Sequence, residues 1–339
     1  MNENKRIYYW DNVKSCLIFL VVLGHFLIPI LHRGTSIECC FYFIYFFHMP
    51  AFVFVSGFFS KRYIEKGKGS PDISKILGFL ILYVVFKGIQ WGISCIFQRQ
   101  IVAFDFLDES GAPWYMFAMA VWYLILPMFT KFKWYISIGV VVLAALYVGR
   151  VESINSFLCL SRIIVYYPFF LMGHYFKGEN IKFVTNRKGK ICGMMIFLLI
   201  GCLIIFNLNN IKLFDALFYG NRPYSILPDD ISLMTAGFAR FLFLVIGLLM
   251  TFALMAWIPR RKLKISYIGG RTLSIYILHI IVRDVFEQIH IFDRVQWQGE
   301  ILLLGCVIFC LILTIVLSGK LFNKLFSSVF KINYSIFMR

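Results

Sequence analysis

Ten apolar runs, most close to 20 residues long, divide the 339-residue chain at about 13–31, 39–60, 76–97, 113–129, 134–148, 155–176, 191–207, 233–257, 266–285 and 301–317. A run of that length is what an α-helix needs to cross about 30 Å of hydrocarbon. In lipid every backbone N–H and C=O must bond within the chain. That leaves helices or closed barrels, and these runs lack the strict two-residue alternation of barrel strands. The pattern predicts an all-α, polytopic membrane helix bundle of about ten transmembrane helices. It reads as a single integral-membrane domain over residues 1–339, multi-pass in the cell membrane with the lipid bilayer as its solvent. Composition excludes the alternative of a water-soluble globule, because 60% of residues are hydrophobic and 15% charged, against about 25% charged in a soluble domain. The first run follows a basic N-terminus as a signal peptide would, but it is long and has no small-residue cleavage site, so a retained span is expected.

A net charge of +17 would point a soluble protein toward nucleic acid. Here the basic residues lie between apolar runs, and no nucleic-acid partner is expected. Cytoplasmic loops collect Lys and Arg. One side carries 24 basic and five acidic residues: both chain ends and the connections near 61–75, 131–133, 177–190 and 260–271. The other side carries six basic and ten acidic residues. Both termini are therefore expected in the cytoplasm. The longest connection, about 208–232, falls on the outer side. Its Asp215, Tyr219, Asn221, Tyr224, Asp229 and Asp230 fit a solvated loop and a sugar-contacting loop equally well.

The nine cysteines scatter mostly through apolar runs without CxxC pairing, so neither a metal site nor a disulfide framework is expected. Cys306 and Cys310, one turn apart, read as packing residues.

Ionisable side chains inside a span are costly, and each is a candidate for function unless it serves a structural pair. His25 lies 11 residues after Lys14, His48 lies 13 before Lys61, and His279 lies eight after Arg271. At 1.5 Å per residue these are depths of about 16, 20 and 12 Å. Eleven residues make about three turns, so Lys14 and His25 share a helix face. Asp11, three residues before Lys14, is placed to pair with it. A cation at the rim with an imidazole deeper on the same stripe suits an anionic donor whose reactive end reaches inward. Imidazole also suits general-base work near neutrality. The bland reading of each histidine is a helix-packing hydrogen bond, and it is the simpler one for His279 taken alone. Arg162, about two turns into the sixth run, either holds an oxyanion, an acceptor phosphate or a carbonyl, or pairs with a neighbouring helix. Arg283, Asp284 and Glu287 are expected to form an ion network. His174 and His290 read as interfacial, and Lys87 and Arg240 receive no role.

Two stretches carry a resemblance. The first run reads Tyr9-Trp10-Asp11-Asn12-Val13-Lys14 and then Leu23-Gly24-His25, an Arg/Lys-x10-His motif. The second reads Phe46-Phe47-His48-Met49-Pro50-Ala51-Phe52 and then Ser56-Gly57-Phe58-Phe59. Arg162 through Pro168 to Gly173, and Thr272 through Tyr276 to His279, follow in order. The chain thereby resembles the acyltransferase-3 family of integral-membrane acyltransferases, and within it the fucose 4-O-acetylase-like group. The resemblance implies O-acetyl transfer from cytoplasmic acetyl-CoA, with no metal, to a hydroxyl of a cell-surface glycan or a lipid-linked sugar precursor. It also implies working contact with other glycan-assembly proteins. By position, Lys14 and His25 correspond to the motif on which activity depends, and His48 to the second-helix block. The chain departs from some members in lacking an Arg-x-x-Arg near the third run, where Lys75 and Lys87 stand, and a fused esterase-like domain.

The expected assignment follows from this. Catalysis falls to His25, as base or as acyl acceptor, with His48 and Arg162 orienting groups or stabilising an oxyanion. Donor phosphates fall to Asp11-paired Lys14, Lys61, Arg62, Arg260, Arg261 and Lys262, with His279 in the same group, although the same cations would appear in any positive-inside loop. The rival readings are a multi-helix transporter or flippase for a glycan precursor and a non-catalytic partner in glycan synthesis. The absence of an inverted repeat, and mid-membrane polar groups that are mainly histidines and cations, weigh against the transporter.

Overall fold

The computed structural model describes residues 8–66, 73–104, 107–108, 111–154 and 157–329, without the side chains of Glu65 and Lys66. Lys5, Arg6, Lys68, Lys331 and Arg339, used above for sidedness, lie outside the described residues, as does Asn155, the expected start of the sixth run.

Among the described residues every regular element is helical, and a single isolated bridge joins Asp108 to Phe157. In chain order these are α1 (Tyr8–Leu27), α2 (Thr35–Tyr45), α3 (His48–Phe59), α4 (Lys61–Lys66), α5 (Ile73–Gln98) and α6 (Trp114–Phe129). Then come α7 (Trp134–Tyr147), α8 (Leu160–Tyr175), α9 (Ile181–Val184), α10 (Arg187–Leu213) and α11 (Asp215–Tyr219). The order closes with α12 (Leu233–Trp257), α13 (Thr272–Gln288), α14 (Ile291–Arg294), α15 (Gly299–Leu317) and α16 (Lys320–Ser327).

Six of these stretches are long and apolar enough to cross a membrane, or seven if the bent segment 264–288 counts as one. The chain is a multi-pass membrane protein, but the expected ten spans are not all of crossing length. With 16, 14 and 16 residues, α6, α7 and α8 reach only about 21–24 Å at 1.5 Å per residue. The sequence periodicity also missed three breaks. Pro29 has no N–H for the His25 carbonyl, so α1 stops at Leu27 and a 3₁₀ turn, Ile28–Arg33, follows. The second run divides at Phe46 and Phe47, where Pro50 cannot donate to the carbonyl of Phe46. The ninth run bends by 81° between the 3₁₀ segment Lys264–Gly270 and α13, at a pair of glycines with low helix propensity. In α10, Asn207 leaves helical geometry at φ −128°, ψ 26°.

The chain forms two compact units. The first comprises the described residues of Met1–Phe52, Lys177–Phe206 and Gly247–Ser327. Its centre is α1, whose Val13, Leu17, Val21 and Phe26 are buried against α13, α15 and the 3₁₀ segment Lys264–Gly270. Lipid is as apolar as Leu, so helix association here depends on close packing and polar bonds. Gly269 shows the first: a Cβ at that position would sit 2.0 Å from the Asp11 carbonyl oxygen. On the same unit's outside, Met195, Leu199 and Phe206 of α10 and Leu304 of α15 are exposed, as lipid-facing residues are.

The second unit comprises the described residues of Val53–Phe176, Asn207–Ile246 and Ser328–Arg339. Here α3 and α8 cross backbone to backbone on two glycines. A Cβ on Gly57 would lie 1.9 Å from the Phe170 carbonyl oxygen, and one on Gly173 would lie 1.9 Å from that of Phe54. Around this crossing Trp114, Trp122, Tyr166 and Phe170 pack edge-on or tilted in an aromatic core, and Trp122 Nε1 donates to the Ile163 carbonyl at 3.0 Å. Connection 208–232 carries a small core of its own, with Leu217, Tyr224 and Leu227 buried together against Ala236, while Arg222, Asp229 and Asp230 stay exposed.

Candidate functional site

His25 and His279, 254 positions apart in sequence, meet in the first unit with Nδ1 of His25 and Nε2 of His279 separated by 2.8 Å. The tautomers follow from the partners. His279 Nδ1 is 2.8 Å from the Ile275 carbonyl, which only accepts, so this nitrogen carries the proton. His279 Nε2 is then a lone pair that accepts from His25 Nδ1–H. In the neutral pair this leaves His25 with its lone pair on Nε2, the nitrogen a base or nucleophile would use. His279 is wholly buried, and its ring is flanked by Tyr276 at 5.9 Å. The outer ring of the pair, His25, is half-buried.

Eleven residues earlier, the rim is built by the first turns of α1. Lys14 Nζ lies 3.1 Å from Asp11 Oδ1, and the Asp11 side chain is the more buried partner. Asn12 organises the basic stretch after α12. Its Nδ2 donates to the carbonyls of Pro259 at 2.8 Å and Arg261 at 2.9 Å, and its Oδ1 accepts from Ser266 Oγ at 2.5 Å. Ser15 Oγ adds a contact to the Ile265 carbonyl at 3.0 Å, and Tyr9 OH one to Met255 at 2.7 Å. Lys262 Nζ stands 5.5 Å from the Tyr8 ring centre. The main chain carrying Arg260, Arg261 and Lys262 is thus held at the mouth of the helix that bears Lys14 and His25. The sequence assigned no role to Asn12, Ser15 or Ser266, although Asn12 sits in the motif itself, between Asp11 and Lys14.

The other expected residues each have partners of their own. His48 opens α3 in the first unit, buried, with Nδ1 2.9 Å from the Ile44 carbonyl and its ring 4.7 Å from that of Tyr45. The same Tyr45 ring lies over Gly24, since a Cβ there would meet it at 3.1 Å. Lys61 and Arg62 belong to the second unit, where Lys61 Nζ donates to the Phe176 carbonyl at the end of α8 and sits 5.0 Å from the Phe58 ring. Arg162, also in the second unit, ties two connections together: Nε donates to the Tyr219 carbonyl at 3.0 Å and Nη1 to that of Gly111 at 3.2 Å, with the guanidinium over Trp114. Burial pushes the nearby Tyr219 phenol up to about 12 and raises the Asp215 carboxyl above its ordinary range.

Arg283 pairs with Asp284 at 2.6 Å and reaches Glu287 at 3.9 Å, the expected network. His174 is buried against Ser60 at 2.8 Å, near the end of α8, whereas His290 is exposed beside Asp293 at 3.2 Å. Lys87 donates to the Asp108 carbonyl at 2.6 Å. Among the described residues no group of three or more His, Cys, Asp or Glu side chains is placed to hold a metal ion.

Comparison with known proteins adds independent findings. Residues 7–319 match the acyltransferase-3 family, described as an acyltransferase domain. The chain is similar to the nodulation protein NolL of Sinorhizobium fredii, with 27% identity over 210 residues, covering 57% of this chain and 55% of that one. It is also similar to the nodulation protein NolL of Mesorhizobium japonicum, with 27% identity over 183 residues, covering 51% of this chain and 48% of that one. The chain thus spans about half the length of the curated relatives it matches. No solved structure matches it.

Proposed function

Because the chain belongs to the acyltransferase-3 family, we propose that it is an O-acyltransferase of the cell membrane, moving acetyl from cytoplasmic acetyl-CoA to a hydroxyl of a cell-surface glycan or its lipid-linked precursor. The observation that carries this reading is the 2.8 Å bond between His25 Nδ1 and His279 Nε2. Its tautomer leaves His25 Nε2 as the basic nitrogen.

The residues fit such a donor. Lys14, Arg260, Arg261 and Lys262 suit phosphate recognition as mobile or forked cations, and Asn12 keeps the stretch that carries three of them beside α1. The donor supplies a thioester, an acyl group already activated for transfer. Lys14 binds and orients, and His25 lies about 16 Å further along the same face. His25 Nε2 takes the proton of the acceptor hydroxyl while that oxygen forms the new ester bond at the acyl carbon. As the carbon–sulfur bond breaks, the imidazolium returns that proton to the departing thiolate. His279 acts through His25 as a positioning residue, and its Nε2 stabilises the imidazolium once the proton arrives.

His25→Ala is the direct test. Membranes containing the variant at wild-type level are expected to incorporate no labelled acetyl from acetyl-CoA into base-labile esters. Wild-type incorporation would remove His25 from the reaction.

A further inference from the structure

Arg240 stands on α12 in the second unit with no exposed surface, and among the described residues none of its three guanidinium nitrogens has a hydrogen-bond partner. Buried guanidinium groups are normally paired or bonded, because a bare charge away from water is strongly disfavoured. The protein supplies only rings here. The Arg240 guanidinium carbon lies 5.6 Å from the centre of the Tyr224 ring. The hydroxyl protons of the neighbouring tyrosines are committed elsewhere, Tyr224 OH to the Leu146 carbonyl and Tyr166 OH to that of Phe218, each at 2.7 Å. Both tyrosines therefore remain neutral and give Arg240 no countercharge. A second guanidinium, Arg162, is close enough for its charge to reach the same Tyr166 hydroxyl.

We propose that Arg240 binds a phosphate-class anion on the second unit, the side chains that bury its guanidinium parting to admit it. Three unbonded nitrogens present five N–H donors, more than one carboxylate accepts in its usual bidentate pairing, whereas a tetrahedral phosphate offers several oxygens in different directions. Depth points the same way. Arg240 is seven residues past Leu233, about 10 Å along the helix. The 25 residues of α12 measure about 37 Å against roughly 30 Å of hydrocarbon, so a centred helix puts Arg240 about 7 Å inside the boundary. That is within reach of a phosphate drawn slightly below the headgroup level. Two sources share this chemistry, a phosphorylated lipid carrier and free inorganic phosphate. On the function proposed above, which this inference deepens, the first would be the anchor of a lipid-linked acceptor.

The test is binding, which does not depend on acyl transfer and so fails separately from the proposed activity. Purified full-length protein in detergent is titrated with farnesyl phosphate, inorganic phosphate and farnesol, following heat uptake and Tm. Saturable binding of farnesyl phosphate but not farnesol, weakened at least about 30-fold in Arg240→Met, is expected and assigns the site to a lipid headgroup. Arg240-dependent binding of inorganic phosphate alone supports the anion site and names the free ion as its source. Equal binding by Arg240→Met and wild type, or no binding of either phosphate to wild type, overturns the proposal. So does displacement of farnesyl phosphate by coenzyme A, which would assign the guanidinium to the donor. Relief of an unpaired charge should leave ligand-free Arg240→Met at least as stable as wild type. Failure of that variant to fold would show a structural role and equally overturn the idea. Arg240→Lys, a compact cation without the fork, is expected to bind about tenfold more weakly than wild type.

Discussion

Replacing His279 with Leu removes the acceptor of the His25 Nδ1 proton and leaves an apolar side chain in a site that is wholly buried. In the resting pair the bond joins two neutral groups and is worth about 1 kcal/mol net. Once His25 has taken the hydroxyl proton, the same bond is charge-assisted and worth about 1.5–3 kcal/mol. The difference, about 0.5–2 kcal/mol, exists only near the transition state. At 1.36 kcal/mol per decade it lowers kcat between about 2-fold and 30-fold. The apparent KM for acetyl-CoA is expected to stay within about twofold, because a bond that strengthens only in the transition state leaves ground-state binding unchanged. Label incorporation from acetyl-CoA into base-labile esters, measured over a donor series in membranes of matched protein content, separates the two parameters. His279→Gln, whose amide oxygen can accept the same proton, should recover part of the rate. In the double variant with His25→Ala, the His279 change should add nothing, since its effect passes through His25. Full kcat in His279→Leu, or losses that multiply in the double variant, would refute the coupled pair.

Two further outcomes follow from the packing. Asn12→Ala removes bonds to Pro259, Arg261 and Ser266, at about 1 kcal/mol each; the loosened basic stretch should raise the donor KM about tenfold or more, and an unchanged KM would detach that stretch from the donor. Gly57→Ala places a methyl 1.9 Å from the Phe170 carbonyl oxygen; overpacking of this kind costs about 1–3 kcal/mol and should lower Tm in detergent, while Gly88→Ala, with nothing within 4 Å of its Cβ, should leave it in place.

The helical architecture was legible because a bilayer leaves one economical way to bury a backbone, and an apolar run of 25 residues such as Leu233–Trp257 announces itself with its ends intact. Lys14 and His25 were legible as a pair for a similarly local reason, since their spacing on one helix sets a shared face. The short helices α6, α7 and α8 were harder. Their apolar composition equals that of a span, and only the observed turns limit their length. Arg162 was legible as a buried charge but not in its surroundings: two carbonyls from distant connections accept from Nε and Nη1, and nothing in the local sequence announces those partners. Arg240 looked isolated in the sequence and is isolated from hydrogen-bonding side chains in the fold, which is why it draws attention there.

By itself the sequence determined the helical class, the apolar spans, the segregation of Lys and Arg, and the rim-to-imidazole stripe on α1. All of these depend on composition or on the 3.6-residue turn, which act over a few residues. Only the tertiary structure decided that His279, read alone as a packing residue, meets His25. It also decided that Asn12 gathers the basic stretch and that connection 208–232 folds onto a core of its own. Those pairings join positions as much as 254 residues apart. They depend on where helices break and bend, at Pro29, Pro50 and the 81° turn before α13, and on glycines that let one backbone touch another. Helical periodicity specifies which face a residue occupies, and packing specifies what that face meets.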